Sequence, residues 1–430
     1  MKRAISFFTQ VCESYLPDAF VFSLVLTLFV FLAALTFTGH SPLNLVDFWA
    51  RDFWDLNAFA MQMVFVLLSG HMLATTPVLR RALGAMSSRV KSEASALVLL
   101  SFFSVTACFL NWGFGLIVSG ILAVEMARRL GRVNFGLFIA TAYAGFVVWH
   151  GGLSGSIPLK IAGTDEILTR VHPGLSVPLS ETIFTSQNLL LITLILVAIP
   201  ILALVMRTEE KTVLPSAEGI APETPSLEKS VRSTLENSRL LVLVFFLMFL
   251  VAVFRGGGLD INRVNFIFLF LAFLMHGTPA RFLRALQSSV GFTSGIIIQF
   301  PFYAGIMGLM RHSGLVEIVS SWFVSFSTKD TLPLFTFLSA GIVNFFVPSG
   351  GGQWVVQGPV MLQAAEALGV APARIAMALA WGDAWTNLIQ PFWALPLLAM
   401  AGLRLKDIMG YCLMYLLASG LLIGSVMFFF

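Results

Sequence analysis

The chain has 430 residues, 57% of them hydrophobic and only 11% charged, with a net charge of +4 and a mean hydropathy of +0.89. Soluble domains carry about 25% charged residues, and a globule this apolar would expose large adhesive patches, which excludes a secreted enzyme and a soluble binding module. The basic residues lie in short clusters between apolar runs, so the positive charge is no nucleic-acid footprint.

Lys2 and Arg3 precede an apolar stretch over 19–38, long enough to span a bilayer and long for a signal-peptide core, with no small-residue cleavage site after it. It predicts a retained first transmembrane helix. With the N-terminus in the cytoplasm, 58–79 returns inward, 94–128 leaves and comes back, 134–160 runs out and 184–206 runs in. The polar stretch 207–239 then lies inside; it holds 11 of the chain's 48 charges with Pro215, Pro222 and Pro225, and reads as a linker between two apolar halves. A further span, 240–254, crosses outward. The second half follows upside down: 263–277 inward, 294–310 outward, 331–368 entering from outside and returning, 375–400 inward, 408–430 outward. This threading leaves 18 Lys and Arg inside and 8 outside, the bias that orients membrane proteins. Cys12, Cys108 and Cys412 are scattered, with neither disulfide nor metal-ligand spacing.

The two halves resemble each other at an offset of 233–238 residues. Gly39-His40-Ser41-Pro42 recurs as His276-Gly277-Thr278-Pro279, Asn111 before a glycine cluster as Asn344 before Gly350-Gly351-Gly352, and Tyr143 leading to Pro158 as Trp381 leading to Pro396. The fold class expected is an all-α polytopic membrane protein of two inverted-topology repeats, with about nine spans plus two re-entrant or broken helical hairpins. Its parts are a first membrane repeat (1–206), the cytoplasmic linker (207–239), an inverting helix and loop (240–262) and a second, inverted repeat (263–430). Inverted repeats mark secondary transporters, which bind substrate near the midplane where the repeats meet.

Each half contains a hairpin broken in the middle, at 111–115 (N-W-G-F-G) and at 348–353 (P-S-G-G-G-Q). Backbone freed at such a break must line a cavity or be buried in protein, and a helix starting there presents N–H groups suited to an anion. Asn111, Gly113, Gly115, Asn344, Ser349, Gly350, Gly351 and Gly352 are therefore candidate substrate-binding residues, against the plainer reading of glycine for close helix packing. A second break follows each hairpin, W-H-G-G-L-S-G-S-I-P at 149–158 and W-G-D-A-W-T-N-L-I-Q-P at 381–391, adding Ser154, Ser156, Thr386 and Asn387; their plainer reading is local side-chain-to-backbone bonding. Asp383 is the lone carboxylate of the apolar stretch 375–400, and an intramembrane acid is a functional candidate by default. His150 is a second side chain able to carry a proton. Both are candidate coupling residues. No metal-ligand spacing, G-x-S-x-G or Walker motif is present, so the chain reads as neither an enzyme nor an ATP-driven pump.

These segments, with F-I-A-T-A-Y-A-G-F, I-I-I-Q-F-P-F-Y-A-G-I, N-F-F-V-P-S-G-G-G-Q-W-V-V-Q-G-P and Q-P-F-W-A-L-P in order, resemble the bacterial short-chain fatty acid transporter family over nearly the whole chain. His150 departs from the pattern, which more commonly has glycine there. The resemblance implies a multi-pass protein of the bacterial plasma membrane that carries small monocarboxylates between inverted repeats, as an elevator and commonly as a homodimer.

The function expected is a secondary carrier of acetate, butyrate or acetoacetate, with no cofactor beyond a coupling proton or sodium ion; the partners expected are the substrate, lipid and, as the resemblance implies, a second copy of the chain, with no nucleic acid. The carboxylate meets amides and Ser or Asn groups at the hairpin tips, and the alkyl tail meets Trp112, Trp354 and Trp385. With no arginine near either tip, binding is expected to rest on amides and dipoles, which suits a monoanion. The alternatives are a passive small-anion channel and a dicarboxylate carrier.

Overall fold

A computed structural model describes residues 19–162, 176–208, 212–213, 230–255, 261–347 and 350–429. The first half runs α1 (Ala19–Phe37), α2 (Pro42–Asp52), α3 (Asn57–Ala74), α4 (Pro77–Ser88), α5 (Glu93–Leu110), α6 (Trp112–Leu130), α7 (Phe135–Ala144), a 3₁₀ stretch (Gly145–Gly151), α8 (Ser156–Ile161) and α9 (Ser186–Val205). A short helix, α10 (Val231–Glu236), and a 17-residue helix, α11 (Arg239–Arg255), lead to the second half. That half runs α12 (Ile261–His276), α13 (Pro279–Val290), α14 (Ser294–His312), α15 (Leu315–Ser325), α16 (Leu332–Phe346), α17 (Gly350–Leu368), α18 (Pro372–Thr386), a 3₁₀ turn (Asn387–Ile389), α19 (Pro391–Ala401) and α20 (Leu405–Phe429). From α1 and from α12 onward, the same kinds of element follow in the same order.

Four amphipathic helices occupy stretches that the sequence reading leaves as loops or helix ends. Ser41 and Thr278 each cap a helix whose first residue is proline: the Ser41 hydroxyl accepts from the Asn44 N–H, and the Thr278 hydroxyl from the Arg281 N–H. Their charged faces hide α2 and α13 from a search for uniformly apolar runs. The same holds for α4, capped by Thr76; α15 follows Gly314 in the left-handed region.

Among the described residues five helices are long and apolar enough to cross a membrane, or seven if two bent pairs, at 64° and 53°, each count as one span. The expected nine is not reached by length and composition alone: α12 and α16 fall below spanning length, and α11 has 17 residues. The arms of the two hairpins are helical up to the breaks. α5, α6 and α17 have 18, 19 and 19 residues and α16 has 15, because helix resumes at the glycines instead of ending there. Part of the 207–239 linker lies outside the described residues, but Thr212–Val213 pairs antiparallel with Arg132–Val133, tying it to the α6–α7 turn.

Packing exchanges elements between the halves. α1 and α2 pack on α14, while α12 and α13 pack on α3, the element of matching rank in the other half. Across one of these contacts His312 Nε2 lies 2.9 Å from both carboxylate oxygens of buried Asp52. The hairpins and second breaks form the remaining mass: α5 packs on α6 and on the 3₁₀ stretch, α16 and α17 pack on α18, and α9 meets α20.

Candidate transport site

At the first hairpin tip Asn111 leaves helical geometry and caps α6, its Oδ1 accepting the Phe114 N–H at 3.0 Å. Ser154, from the second break of the same half, accepts the Trp112 N–H at 2.9 Å. The Gly115 N–H returns to the Asn111 carbonyl at 2.8 Å. Three amides of this tip are thus satisfied internally. A Cβ on Gly115 would lie 2.4 Å from the Cys108 nitrogen, so this glycine serves the close approach of α5 and α6. Gly113 is buried in the same turn. Trp112 is held in a cluster with Phe146, Trp149 and Trp393, its ring centroid 5.4–6.0 Å from theirs.

The second tip is built differently. Ser349 lies outside the described residues; α17 begins at Gly350. A Cβ on Gly350 would lie 2.5 Å from His150 Cε1 and 2.8 Å from Ser156 Oγ, so the bare backbone of this tip presses on the second break of the other half. Gly351 and Gly352 are half-buried beside it. Lys160, on α8, points its ammonium at the Gly351 carbonyl, 3.4 Å away. Its side chain is exposed, and no carboxylate is within ion-pair reach among the described residues. The expectation that binding lacks a full counter-charge needs this correction: no arginine is there, but a lysine is. It sits only two residues beyond Pro158, yet nothing in the sequence pairs it with a tip 191 residues away.

The two coupling candidates meet. His150 Nδ1 lies 3.1 Å from Asp383 Oδ1, with both side chains fully buried. On the other edge of the ring the Ile157 N–H points at His150 Nε2 at 3.1 Å, and Ser156 Oγ lies 3.0 Å from it. A backbone N–H can only donate, so Nε2 must accept, and the single imidazole proton sits on Nδ1 and is donated to Asp383. The ring also stacks on Trp149, with centroids 4.0 Å apart. This geometry makes His150 a positioning group for the Asp383 carboxylate.

Asn344 gathers the rest. Its Nδ2 lies 2.8 Å from the Asp383 carbonyl, 2.9 Å from Thr386 Oγ1 and 2.7 Å from Asn387 Oδ1. Gln390 Nε2 donates to the Asn344 carbonyl at 2.7 Å. Since backbone carbonyls can only accept, these contacts fix both amide orientations. Buried Asp383 Oδ2, Asn344 Oδ1 and Gln390 Oε1 then have no hydrogen-bond partner among the described residues, and the same is true of the Asn387 Nδ2 donor. A buried polar atom left so costs about 1–3 kcal/mol, and three such oxygens in one network suit a cation.

The structure therefore joins His150, Ser156, Gly350, Asp383, Asn344, Thr386 and Asn387 in one buried network spanning both halves. It leaves Asn111, Gly113, Gly115 and Ser154 in a separate, internally satisfied tip. Trp354 is buried among Ile157, Ile161 and Leu362, and Trp385 donates its indole N–H to the Leu416 carbonyl at 2.7 Å, so both are packing residues here. The sequence reading missed the braces of the network. Tyr143 donates its hydroxyl to the Asn387 carbonyl at 2.5 Å, and Trp381 donates to Asn188 Oδ1 at 2.9 Å while Asn188 Nδ2 donates to the Gly151 carbonyl at 2.8 Å. Gln353 and Gln357 are amides within the apolar helix α17, and Gln390 caps α19 in an apolar stretch, signals that the sequence carries. Among the described residues no group of His, Cys, Asp and Glu is arranged to hold a metal ion.

Comparison with known proteins agrees with a carrier. The family model described as "Short chain fatty acid transporter" matches residues 1–430. A relative from Escherichia coli (strain K12) named for short-chain fatty acid transport is 39% identical, with 99% of each chain covered, and one of like name from Haemophilus influenzae is 38% identical, with 96% of each covered. Among solved structures, the Alcanivorax borkumensis YdaH transporter gives a TM-score of 0.44 at 17% identity, covering 95% of this chain and 98% of that one. Neisseria gonorrhoeae MtrF gives 0.41 at 16%, covering 97% and 96%. Family and relatives alike are transporters and not enzymes, and this chain, a multi-pass membrane protein with a buried polar network between its halves, belongs to the short-chain fatty acid transporter family.

Proposed function

We propose that the protein is a secondary carrier of short monocarboxylates such as acetate, butyrate and acetoacetate. In this reading it sits in a bacterial plasma membrane with its N-terminus in the cytoplasm, and its halves form inverted repeats that alternate access by an elevator motion coupled to a cation. The observation that carries the reading is the network in which Asp383 bridges His150 of one half and Asn344 of the other, directly behind the Gly350 tip. The exchanged packing of α1 on α14 and α12 on α3 supports the repeat, because a two-fold relation would produce such pairs.

The carboxylate binds at the second tip, where Lys160 supplies positive charge next to the Gly351 backbone. The first tip, with three amides already paired, serves as its structural counterpart. The coupling cation binds at the unpaired oxygens of Asp383, Asn344 and Gln390. Three acceptors favour a sodium ion over a proton, since a proton bridges only one pair of oxygens. Lys160 and Asp383 contribute one charge of each sign, so a monoanion entering with one monovalent cation leaves the site neutral. A dicarboxylate would leave one negative charge in excess. Lys160→Met keeps the alkyl stem and removes the charge. It is expected to raise the KM for butyrate uptake in proteoliposomes roughly tenfold or more while the protein still inserts and folds. An unchanged KM would remove Lys160 from the substrate site.

A further inference from the structure

A cavity of about 330 Å³ lies outside this network, where the N-terminal ends of α9 and α18 meet the C-terminal end of α20. The basic-residue bias places all three ends on the outer face of the membrane. The wall from α18 includes Ala373 and the helical stripe Arg374, Met377 and Trp381, while Ala376 and Ala380 of the same helix cluster with Ile157 and Ile161 of α8. The Arg374 Nε–H is buried with no acceptor among the described residues, and the side-chain amide of Gln187 in the facing wall is also unpaired. An arginine always carries its charge, and its guanidinium matches a carboxylate in shape and in hydrogen-bond geometry. Glu181, which also lines the cavity, is exposed and makes no ion pair with Arg374. The rest of the wall includes Leu191, Met377 and Met427, which are apolar.

We propose that this cavity is a second carboxylate-binding site, an outer vestibule for a short monocarboxylate whose head pairs with Arg374 and Gln187 and whose tail lies against Leu191, Met377 and Met427. The chemistry required, one negative head on a short apolar tail, is that of the substrate class proposed above, and the inference rests on that reading for its ligand. The cavity is separate from the central network but connected to it. Its wall residue Trp381 donates to Asn188, Asn188 donates to the carbonyl of Gly151, and the preceding residue, His150, holds Asp383. Substrate held there bears, through Trp381 and Asn188, on the Gly151 backbone next to the His150–Asp383 pair.

The test is protection of an introduced thiol. Ser180→Cys or Thr185→Cys, each in a Cys12→Ser background, places a cysteine in the cavity wall, while native Cys108 and Cys412 are buried. The full-length protein in proteoliposomes is labelled with a membrane-impermeant maleimide, with butyrate as the probe. Butyrate is expected to slow labelling, and Arg374→Gln to raise the half-protecting butyrate concentration roughly tenfold. Asp383→Asn is expected to leave protection intact, because the vestibule does not use the central carboxylate. Arg374→Gln should also raise the KM for uptake while sparing the maximal rate. Protection equal in the Arg374→Gln variant, or none at any butyrate concentration, would overturn the site. Protection lost in Asp383→Asn as well would also overturn it, since it would then report the central site. Protection by phosphatidylglycerol vesicles but not by butyrate would overturn it in favour of a lipid headgroup. Arg374-dependent protection in a protein that fails to accumulate butyrate would sustain the vestibule and refute only the transport reading.

Discussion

Asp383→Asn is expected to abolish accumulation of labelled butyrate against a gradient, while exchange of labelled for unlabelled butyrate persists. The substitution is conservative in geometry. An asparagine oxygen still accepts the His150 Nδ1–H now held at 3.1 Å, and the backbone carbonyl that anchors Asn344 is untouched. What disappears is the single negative charge of the buried network, and with it the group that can neutralise a cation. A charge in a spanning segment is costly unless it is paired or used, so the fold itself should not suffer. Accumulation at the wild-type level in the Asn variant would make Asp383 a structural residue, and the coupling site would then be sought among Asn344, Asn387 and Gln390.

The second large effect is expected from Gly350→Ala, which should reduce uptake to background with normal expression and membrane insertion. A single methyl group at this position would approach His150 Cε1 to 2.5 Å and Ser156 Oγ to 2.8 Å. Real Cβ contacts do not come so close, so the tip or the imidazole must shift, and the imidazole is held on both edges, by Asp383 and by the Ile157 N–H. The change is therefore transmitted directly to the Asp383 carboxylate. Gly351→Ala is expected to be milder, because its methyl would meet only the flexible end of Lys160 at 3.2 Å. The ratio of the two uptake rates measures how closely the tip is seated; equal rates would mean that the second tip does not rest on His150 during transport.

Much of this arrangement was legible in the chain because it is written locally. The glycine runs, the proline that starts α19 and the lone acid in 375–400 announce two hairpins, two later breaks and Asp383 without reference to anything distant. The repeat offset even placed Asn111 and Asn344 in related positions. It did not reveal that they differ in use: Asn111 caps its own helix, whereas Asn344 ties three partners together. Residues brought together from opposite halves were beyond reach, since periodicity and composition do not specify pairing across 233 residues. Lys160 and Arg374 look like ordinary loop-end charges that orient a membrane protein, and only packing sets one beside Gly351 and the other in a cavity. The amphipathic helices α2, α4, α13 and α15 were missed for a different reason. Their polar faces break the uniform hydrophobicity by which spanning segments are recognised.

The most direct test of the whole account is counterflow and accumulation of labelled butyrate in proteoliposomes of the purified full-length protein, with sodium and proton gradients imposed separately. The account predicts flux that saturates with butyrate, is competed by acetate and acetoacetate, and accumulates butyrate when the sodium gradient is imposed. Flux that rises linearly with concentration and is indifferent to both cation gradients would contradict it and identify a passive anion pathway.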